Sequence, residues 1–159
     1  MVAMNEFVLR PIDAADTERL IAAHDQLSPE ARRLRFFSAH PVMTQEEAAY
    51  FTHVDHVDRE AFVVTWQDQI VAVARYDRVG PEEAEIAFVV GDAYQGHGLG
   101  SLLLDRLGEH ARDVGITRFV ADTFGDNRPA IGLLRHWSTQ RKTSFDSGFM
   151  HFEMEIPAA

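Results

Sequence analysis

Three glycines within five residues, Gly96, Gly98 and Gly100, constrain the fold of this chain more than any other feature of its sequence. A β-rich run, 85–90, precedes them, and a stretch with leucines at helical spacing, 99–114, follows them. Glycine adopts backbone conformations closed to other residues and lets a ligand approach the main chain closely. The N-terminus of a helix presents unpaired N–H groups and the positive end of the helix dipole. The strand–loop–helix unit therefore predicts a phosphate-binding site.

The loop departs from two common phosphate-binding motifs. No Gly-Lys-Ser/Thr closes it, as a P-loop requires. Ser101 stands where the dinucleotide-binding fingerprint has its third glycine. That fingerprint also follows the first strand of its fold, whereas several elements precede this loop. A plain strand-to-helix turn is the alternative, although such a turn needs one glycine rather than three.

The residues before the loop predict one strand, three helices and an antiparallel hairpin. We expect a strand over 7–11, a helix over 13–24, a helix from Ser28-Pro29 to 37, a helix from Thr44 to about 51, and strands over 61–66 and 70–76. Thr44-Gln45-Glu46-Glu47 matches a capping box, in which the threonine and glutamate side chains each bond the other's backbone N–H. Gln67-Asp68-Gln69 is expected to connect the two strands of the hairpin.

The residues after the loop continue the alternation of helices and strands. Gly115 is expected to close the helix that begins at Leu99, since glycine suits the position after a helix end. A strand over 116–121, a helix over 129–136 and two terminal strands flanking the turn 144–148 complete the order. The 159 residues, with 46% apolar and 25% charged side chains, predict one mixed α/β domain, 1–159.

Composition excludes several classes of function. The formal net charge of −10 disfavours nucleic acid as a partner and suits a cationic one. The absence of cysteine excludes disulfides, thiolate metal sites and a cysteine nucleophile. No apolar run approaches the roughly 20 residues of a membrane span, so we expect no membrane partner and a cytoplasmic protein.

Gln95-x-x-Gly98-x-Gly100 resembles the pyrophosphate signature of the GNAT superfamily of N-acetyltransferases, Gln/Arg-x-x-Gly-x-Gly/Ala. Three further segments, 34–37 (Leu-Arg-Phe-Phe), 54–60 and 84–90, look like the catalytic domain of bacterial Pat-type protein lysine acetyltransferases. The resemblance implies a GNAT-like fold, a mixed and mostly antiparallel central sheet flanked by helices. Some of those proteins carry a fused regulatory domain, and none is expected within these residues.

The resemblance also implies where the acyl donor, acetyl-CoA, is held. Backbone groups near the end of the fourth strand, in Phe88, Val89 and Val90, would contact the pantetheine arm and the acetyl carbonyl. Asn127 would lie beside the pantetheine. The pyrophosphate would rest on the loop residues Gln95, Gly96, His97, Gly98, Leu99, Gly100 and Ser101.

Glu85 matches the glutamate that serves as general base in Pat-type relatives. A lysine amine is mostly protonated at neutral pH, so a nearby carboxylate helps to remove its proton. An ordinary strand-end glutamate beside Glu82 and Glu83 is the alternative.

Many GNAT enzymes carry a tyrosine after the asparagine as general acid, but Leu134 stands at that position, and His136-Trp137-Ser138 replaces the usual Gly-Phe.

Two other segments carry side chains of interest. His53-Val54-Asp55-His56 with Asp58 could suggest a metal site, but we expect none because several convergent ligands are needed. Asp55, His56 and Asp58 suggest either a contact with a cationic substrate or, as the favoured alternative, a polar loop. One or two of Arg32, Arg33 and Arg35 are expected to form salt bridges with the acidic body. A contact with the adenosine phosphate of coenzyme A is the alternative, which the spacing does not support. Phe36 and Phe37 fit the core or the wall of a substrate groove.

The sequence thus predicts a metal-free enzyme that transfers an acetyl group from acetyl-CoA directly to a primary amine. The preferred acceptor, by resemblance alone, is a lysine side chain of a protein. A small amine, such as a polyamine, an amino acid or an aminoglycoside, is the alternative. The missing tyrosine leaves open a non-catalytic acyl-CoA-binding module, and either a monomer or a homodimer is compatible with the sequence.

Overall fold

The computed structural model describes residues 6–158, which form one seven-stranded sheet with helices on both faces. The strands are β1 (Val8–Pro11), β2 (Arg59–Trp66), β3 (Gln69–Gly80), β4 (Glu83–Val90), β5 (Arg118–Phe124), β6 (Arg141–Asp146) and β7 (Phe149–Glu155). The helices are α1 (Thr17–Gln26), α2 (Pro29–Phe36), α3 (Gln45–Thr52), α4 (Leu99–Asp113) and α5 (Arg128–Trp137). Short 3₁₀ turns cover Ala14–Asp16 and Asp92–Tyr94.

The sheet has the strand order β1-β2-β3-β4-β5-β7-β6 and is antiparallel except between β4 and β5. This arrangement confirms the predicted mixed, mostly antiparallel sheet flanked by helices. The parallel neighbours β4 and β5 are connected through α4, because a tight turn cannot join two parallel strands.

Strands β4 and β5 diverge after a short stretch of pairing. Their register holds for three residues, ending at Glu85 opposite Val120. Beyond this point β4 continues to Val90 and β5 to Phe124, without further pairing to each other. The backbone groups on the facing edges of the two strands are therefore left without a strand partner. This divergence opens the middle of the sheet and positions the candidate site.

The two faces of the sheet bury different amounts of apolar surface. On the face covered by α4 and α5, Leu103, Leu104 and Leu107 are fully buried against side chains that include Phe62 and Tyr76. On the face covered by α1 to α3, the cluster of buried apolar residues is smaller and consists of Ile12, Leu20, Met43, Ala48, Ala61, Val63, Ile70 and Val73. We call these the α4–α5 face and the α1–α3 face.

Several predicted boundaries need correction, each for a local reason. The helix expected over 13–24 is a 3₁₀ turn followed by α1, because the buried Asp16 carboxylate accepts the N–H of Asp13 at 2.8 Å. Ser28 caps α2 as predicted, accepting the N–H of Ala31. The capping box at Thr44 is only half formed, since the Glu47 carboxylate bonds His40 Nε2 at 2.8 Å instead.

The hairpin turns are tighter than the sequence predicted. Only Gln67 and Asp68 connect β2 to β3, both with positive φ, and Gln69 already belongs to the strand. Likewise only Ser147 and Gly148 connect β6 to β7, so the residues before them pair within the sheet. The strand expected over 116–121 begins at Arg118, because the N–H groups of residues 116 and 117 bond carbonyls outside the ladder.

Candidate functional site

A cavity of about 370 Å³ fills the opening between β4 and β5. Its walls are the diverging strands, the loop before α4, the first turns of α4 and α5, and one side of α2. The lining runs from Glu85, where strand pairing ends, to the glycine loop at the other end of β4. We refer to this cavity as the cleft.

Eleven of the twelve residues assigned to the site from sequence line the cleft. They are Glu85, Phe88, Val89, Val90, Gln95, Gly96, Gly98, Leu99, Gly100, Ser101 and Asn127. The exception is His97, whose ring lies 5.7 Å from the ring of Phe7. Residues distant in sequence, on β4, the loop and α5, are thus brought to one cleft.

The glycine loop has the backbone geometry that its sequence predicted. Gly96 and Gly98 have φ values of 85° and 77°, in the left-handed region that strains other residues. Gln95 anchors the loop to the end of β4, since its Nε2 donates to the Val90 carbonyl at 3.3 Å. Gly98 immediately precedes α4, so the unpaired N–H groups of the first helical turn border the cleft.

Gly100 has a packing role. A Cβ at this position would lie 2.7 Å from Cδ2 of Leu133, so its absence lets α4 approach α5 closely. Leu133 lines the cleft from α5, whereas Leu134 is fully buried in the core. Both are apolar. Neither supplies a proton donor at the position where many relatives have tyrosine.

The Glu85 side chain is exposed to the cleft and makes no hydrogen bond within residues 6–158. Burial in the cleft raises the pKa of its carboxyl, and the negative charges of Asp122 and Asp77 raise it further. The Arg35 guanidinium acts in the opposite direction. A carboxylate with a raised pKa is a stronger base, and this one has an unobstructed approach from the cleft.

Several cleft residues were missed by the sequence analysis. Asp122 lies on β5, two residues beyond the partner of Glu85, and its carboxylate is hydrogen-bonded to His151 Nδ1 on β7. Thr123 lines the cleft with a buried hydroxyl that has no hydrogen-bond partner. Tyr94 lies in the 3₁₀ turn before the loop. The pairing of distant strands brings Asp122 and Thr123 to the cleft, so no local sequence pattern marks them, whereas Tyr94 directly precedes the glycine loop.

Asn127 has a structural contact as well as a place in the cleft. Its Oδ1 accepts the N–H of Ala130 at 3.3 Å and so caps α5. Pro129 follows in the first turn of the helix, where a missing N–H is harmless. The asparagine therefore fixes the start of α5 at the rim of the cleft.

The chain matches the Acetyltransferase (GNAT) family over residues 24–137. This span includes α2, β4, the glycine loop, β5 and α5, which together line the cleft. The chain belongs to the GNAT acetyltransferase family. The resemblance recognised in the loop sequence is confirmed. We call the cleft described above the GNAT cleft.

Relatives of known structure or name support the same assignment. The chain is 38% identical to Acetyltransferase Pat of Mycolicibacterium smegmatis over 125 residues, 76% of this chain and 37% of that protein. It superimposes on the GNAT domain of S. lividans PAT with a TM-score of 0.86, at 31% identity, covering 98% of this chain and 99% of that domain. The chain thus spans about a third of the mycobacterial protein.

The fold extends to distant GNAT proteins. The yncA protein of Salmonella typhimurium, whose structure contains its cofactor acetyl-CoA, matches with a TM-score of 0.77 at 18% identity. The match covers 98% of this chain and 96% of that one. At this identity the likeness concerns the fold alone.

The segment 53–58 lies outside the GNAT cleft and is held by local bonds. Asp55 Oδ1 accepts three backbone N–H groups, from Val57, Asp58 and Arg59. His56 Nδ1 contacts the buried Glu60 carboxylate at 2.8 Å, and Asp58 pairs with Arg78. These contacts make the segment a structured turn, as the polar-loop alternative predicted.

Residues 6–158 contain neither a metal-binding cluster nor a membrane-spanning helix. No group of three or more histidine, aspartate or glutamate side chains is arranged to hold a metal ion. No helix in this range is long and apolar enough to cross a membrane.

Proposed function

We propose that this GNAT acetyltransferase moves an acetyl group from acetyl-CoA to the side-chain amine of a lysine on a protein, with Glu85 as general base. The observation that carries the proposal is the order of groups along one cleft. A carboxylate with a raised pKa lies where β4 and β5 part, and a glycine loop with unpaired N–H groups lies at the far end of β4.

The residues around the cleft fit acetyl-CoA. Gly96, Gly98 and the first turn of α4 offer backbone N–H groups to its pyrophosphate. The unpaired edge of β4 at 88–90 offers backbone groups to the pantetheine amides. The orphan hydroxyl of Thr123 would gain a hydrogen-bond partner on the opposite wall. When bound, acetyl-CoA supplies a thioester whose carbonyl carbon accepts the amine.

Glu85 would provide the acid–base step. Its carboxylate accepts a proton from the incoming ammonium, directly or through water, so that the neutral amine attacks. The new C–N bond forms as the C–S bond breaks, and the coenzyme A thiolate departs. Water protonates the thiolate in this scheme, because the cleft-facing residues of α5 are apolar at Leu133 and Ala130.

The surroundings of Glu85 favour a cationic acceptor. Asp122 faces the same cleft, and Asp77 also raises the pKa of Glu85, so two further carboxylates act where the amine would enter, offset in part by Arg35. Phe37 lines the cleft and forms an aromatic cluster with Phe124 and Phe149, with ring centroids 4.9 to 5.3 Å apart. Aromatic rings of this kind would pack against the methylene groups of a lysine side chain. The protein-lysine assignment also rests on the resemblance to Pat-type enzymes.

Two alternatives remain as outcomes of the test. A small amine would use the same carboxylate without a protein surface. A non-catalytic acyl-CoA-binding module is favoured by one observation, the apolar α5 wall at Leu133 where relatives have a proton donor nearby. The first predicts turnover on free amines only, and the second predicts acetyl-CoA binding without turnover.

Replacing Glu85 by glutamine tests the base directly. We expect the turnover of Glu85→Gln on a lysine-bearing protein to fall by about 10²–10⁴-fold, the usual contribution of a general base. Acetyl-CoA affinity should be retained. Glu82→Gln is the matched control, because Glu82 is exposed on the turn before β4. Near wild-type turnover of Glu85→Gln across pH would show that Glu85 is not the base.

A further inference from the structure

A second cavity, of about 180 Å³, opens beside the GNAT cleft on the α1–α3 face. Its floor is formed by β3 and β4, and α1 to α3 cover it. It shares Arg35, Ala87, Val89 and Tyr94 with the lining of the cleft. The two spaces therefore adjoin along β4, and we call the smaller one the side chamber.

Arg75 on β3 lines the side chamber with an incompletely satisfied guanidinium. The residue is 5% exposed, and its Nε is buried without a hydrogen-bond partner. One terminal nitrogen donates to the Phe51 carbonyl at 3.2 Å, and Cζ lies 4.3 Å from the centre of the Phe51 ring. A guanidinium carries five N–H donors, so most of this one's capacity is unused.

Arg35 on α2 lines both the chamber and the cleft. Its Cζ lies 4.6 Å from the centre of the Phe36 ring, and no hydrogen bond or ion pair within residues 6–158 involves its guanidinium. The other two arginines of α2 do have polar partners. Arg33 pairs with Glu30 and Asp126, and Arg32 donates to three backbone carbonyls. Arg33 is thus the one arginine of the three that forms salt bridges within residues 6–158, which agrees with the expectation of one or two.

The nearest acidic groups do not neutralise these two arginines. Burial lowers the pKa of Arg35 and of Arg75 to about 10, so both remain charged at neutral pH. Asp77 is engaged by Arg59 at 3.1 Å, and Glu47 by His40. Glu85 also acts on Arg35 but forms no ion pair with it within residues 6–158. Two adjacent cations, Arg75 buried and Arg35 partly buried, are unfavourable without a directly paired counterion. The chamber is therefore complementary to an anion.

We propose that Arg35 and Arg75 form a carboxylate-binding site, whose ligand extends from the side chamber into the cleft beside Glu85. A guanidinium fork matches the two oxygens of a carboxylate. The remaining walls, which include Leu20, Phe36 and Val73, suit a short carbon chain behind it. The inference rests on the proposed acetyl-transfer function for the meaning of the cleft, but the binding site itself is independent of catalysis.

The carboxylate has two chemical sources. It belongs either to the acceptor, an amine of the amino-acid class, or to the acyl donor, a coenzyme A thioester of a dicarboxylic acid. The first source replaces the protein lysine by a small molecule. The second keeps the lysine and changes the group transferred. Both place an anionic oxygen pair on the same two arginines.

Thermal unfolding with succinate, and with its neutral analogue succinamide, tests the site without any turnover. We expect succinate to raise the melting temperature of the wild type and succinamide to leave it unchanged. Arg35→Gln and Arg75→Gln should each abolish the rise. Arg33→Gln is the matched control on the same helix and should keep it. A rise that persists in both chamber variants, or no rise in the wild type, overturns the proposal.

The stability of the unliganded variants separates binding from a structural role. Arg75→Met should be at least as stable as the wild type, because it removes one of two like charges from a buried site. A marked loss of stability in Arg75→Met would instead make Arg75 a structural residue bound to Phe51, and would contradict the proposal.

Substrate panels distinguish the two sources. If the acceptor carries the carboxylate, free lysine should exceed its decarboxylated counterpart, cadaverine, in kcat/KM by about 10- to 100-fold, the range for charge-assisted hydrogen bonds. If the donor carries it, succinyl-CoA should bind more tightly than acetyl-CoA by a similar factor. Arg75→Gln should remove whichever of the two preferences the wild type shows, while acetyl-CoA still binds. If the wild type shows neither preference, the proposal is overturned. Failure of acetyl-CoA binding would count against the proposed function alone.

Discussion

The two faces of the sheet are built for different tasks. The α4–α5 face is an apolar core, in which α4 contributes seven buried residues, including Leu103, Leu104 and Leu107. The α1–α3 face has a smaller apolar cluster and exposes charged side chains, among them Arg75 and Glu85, to a cavity or to the cleft. One face holds the glycine loop in place, and the other supplies the groups proposed to act on the acceptor.

The difference explains where stability and function reside. A dense core fixes α4, so the N–H groups of its first turn point at a constant place. The opposite face tolerates a cavity and uncompensated charges, which cost stability unless a ligand fills them. Substitutions in the α4–α5 face should therefore mainly lower stability. Substitutions of the charged residues on the α1–α3 face should mainly change substrate use.

The largest expected effect is on the free energy of unfolding. Leu107→Ala should lower it by about 2–5 kcal/mol, because a fully buried side chain leaves a cavity in a dense core. The loss in Leu20→Ala should lie at or below the lower end of that range, because Leu20 already borders the side chamber. Denaturant unfolding measures both variants. Equal losses would remove the proposed contrast between the faces.

A smaller effect is expected from two buried threonines. Thr123→Val should leave unliganded stability unchanged or higher, because its hydroxyl has no partner. It should weaken acetyl-CoA binding by roughly 0.5–1.5 kcal/mol, one hydrogen bond. Thr52→Val on the α1–α3 face should lower stability and leave acetyl-CoA affinity unchanged, since Thr52 Oγ1 donates to the Ala48 carbonyl at 3.0 Å. Calorimetry measures the affinity of both variants for acetyl-CoA, and unfolding curves measure their stability. Unchanged affinity in Thr123→Val would exclude the hydroxyl as a cofactor contact.

The smallest expected effect is a shift in the pH dependence of turnover. Asp122 helps to raise the pKa of Glu85, so Asp122→Asn should lower that pKa. A general base acts when deprotonated, so the acidic limb of the kcat/KM profile should move to lower pH. Asp126→Asn is the control, because Asp126 pairs with Arg33 instead. A limb that stays in place, or moves to higher pH, would show that Asp122 does not act on the base.

Local sequence signals predicted most of the fold. Leucines at helical spacing indicated α4, and Ser28-Pro29 indicated the start of α2. The three glycines located the loop, two of them with the positive φ that explains the choice of residue. Turn lengths were less accurate, because pairing across a hairpin decides which residues belong to the strands.

The parts of the site that depend on distant pairing were beyond the sequence. The divergence of β4 from β5 beyond Glu85 follows from their register, not from a local pattern. Asp122 meets Glu85 only because those strands are neighbours, and Arg35 meets Arg75 only because α2 covers β3. Arg32, Arg33 and Arg35 look alike in the sequence, yet the structure leaves only the last of the three guanidiniums without a partner in residues 6–158.

Calorimetry of acetyl-CoA binding to Gly98→Glu tests the central claim most directly. Gly98 has φ of 77° and Gly115, at the other end of α4, has φ of 87°, and an added Cβ meets nothing within 4 Å at either position. Both Glu variants therefore carry the same charge and a similar strain of about 1–2 kcal/mol. Gly98→Glu should lose acetyl-CoA binding while folded, and Gly115→Glu should bind as the wild type does. Equal binding by both variants would contradict the glycine loop as the pyrophosphate site.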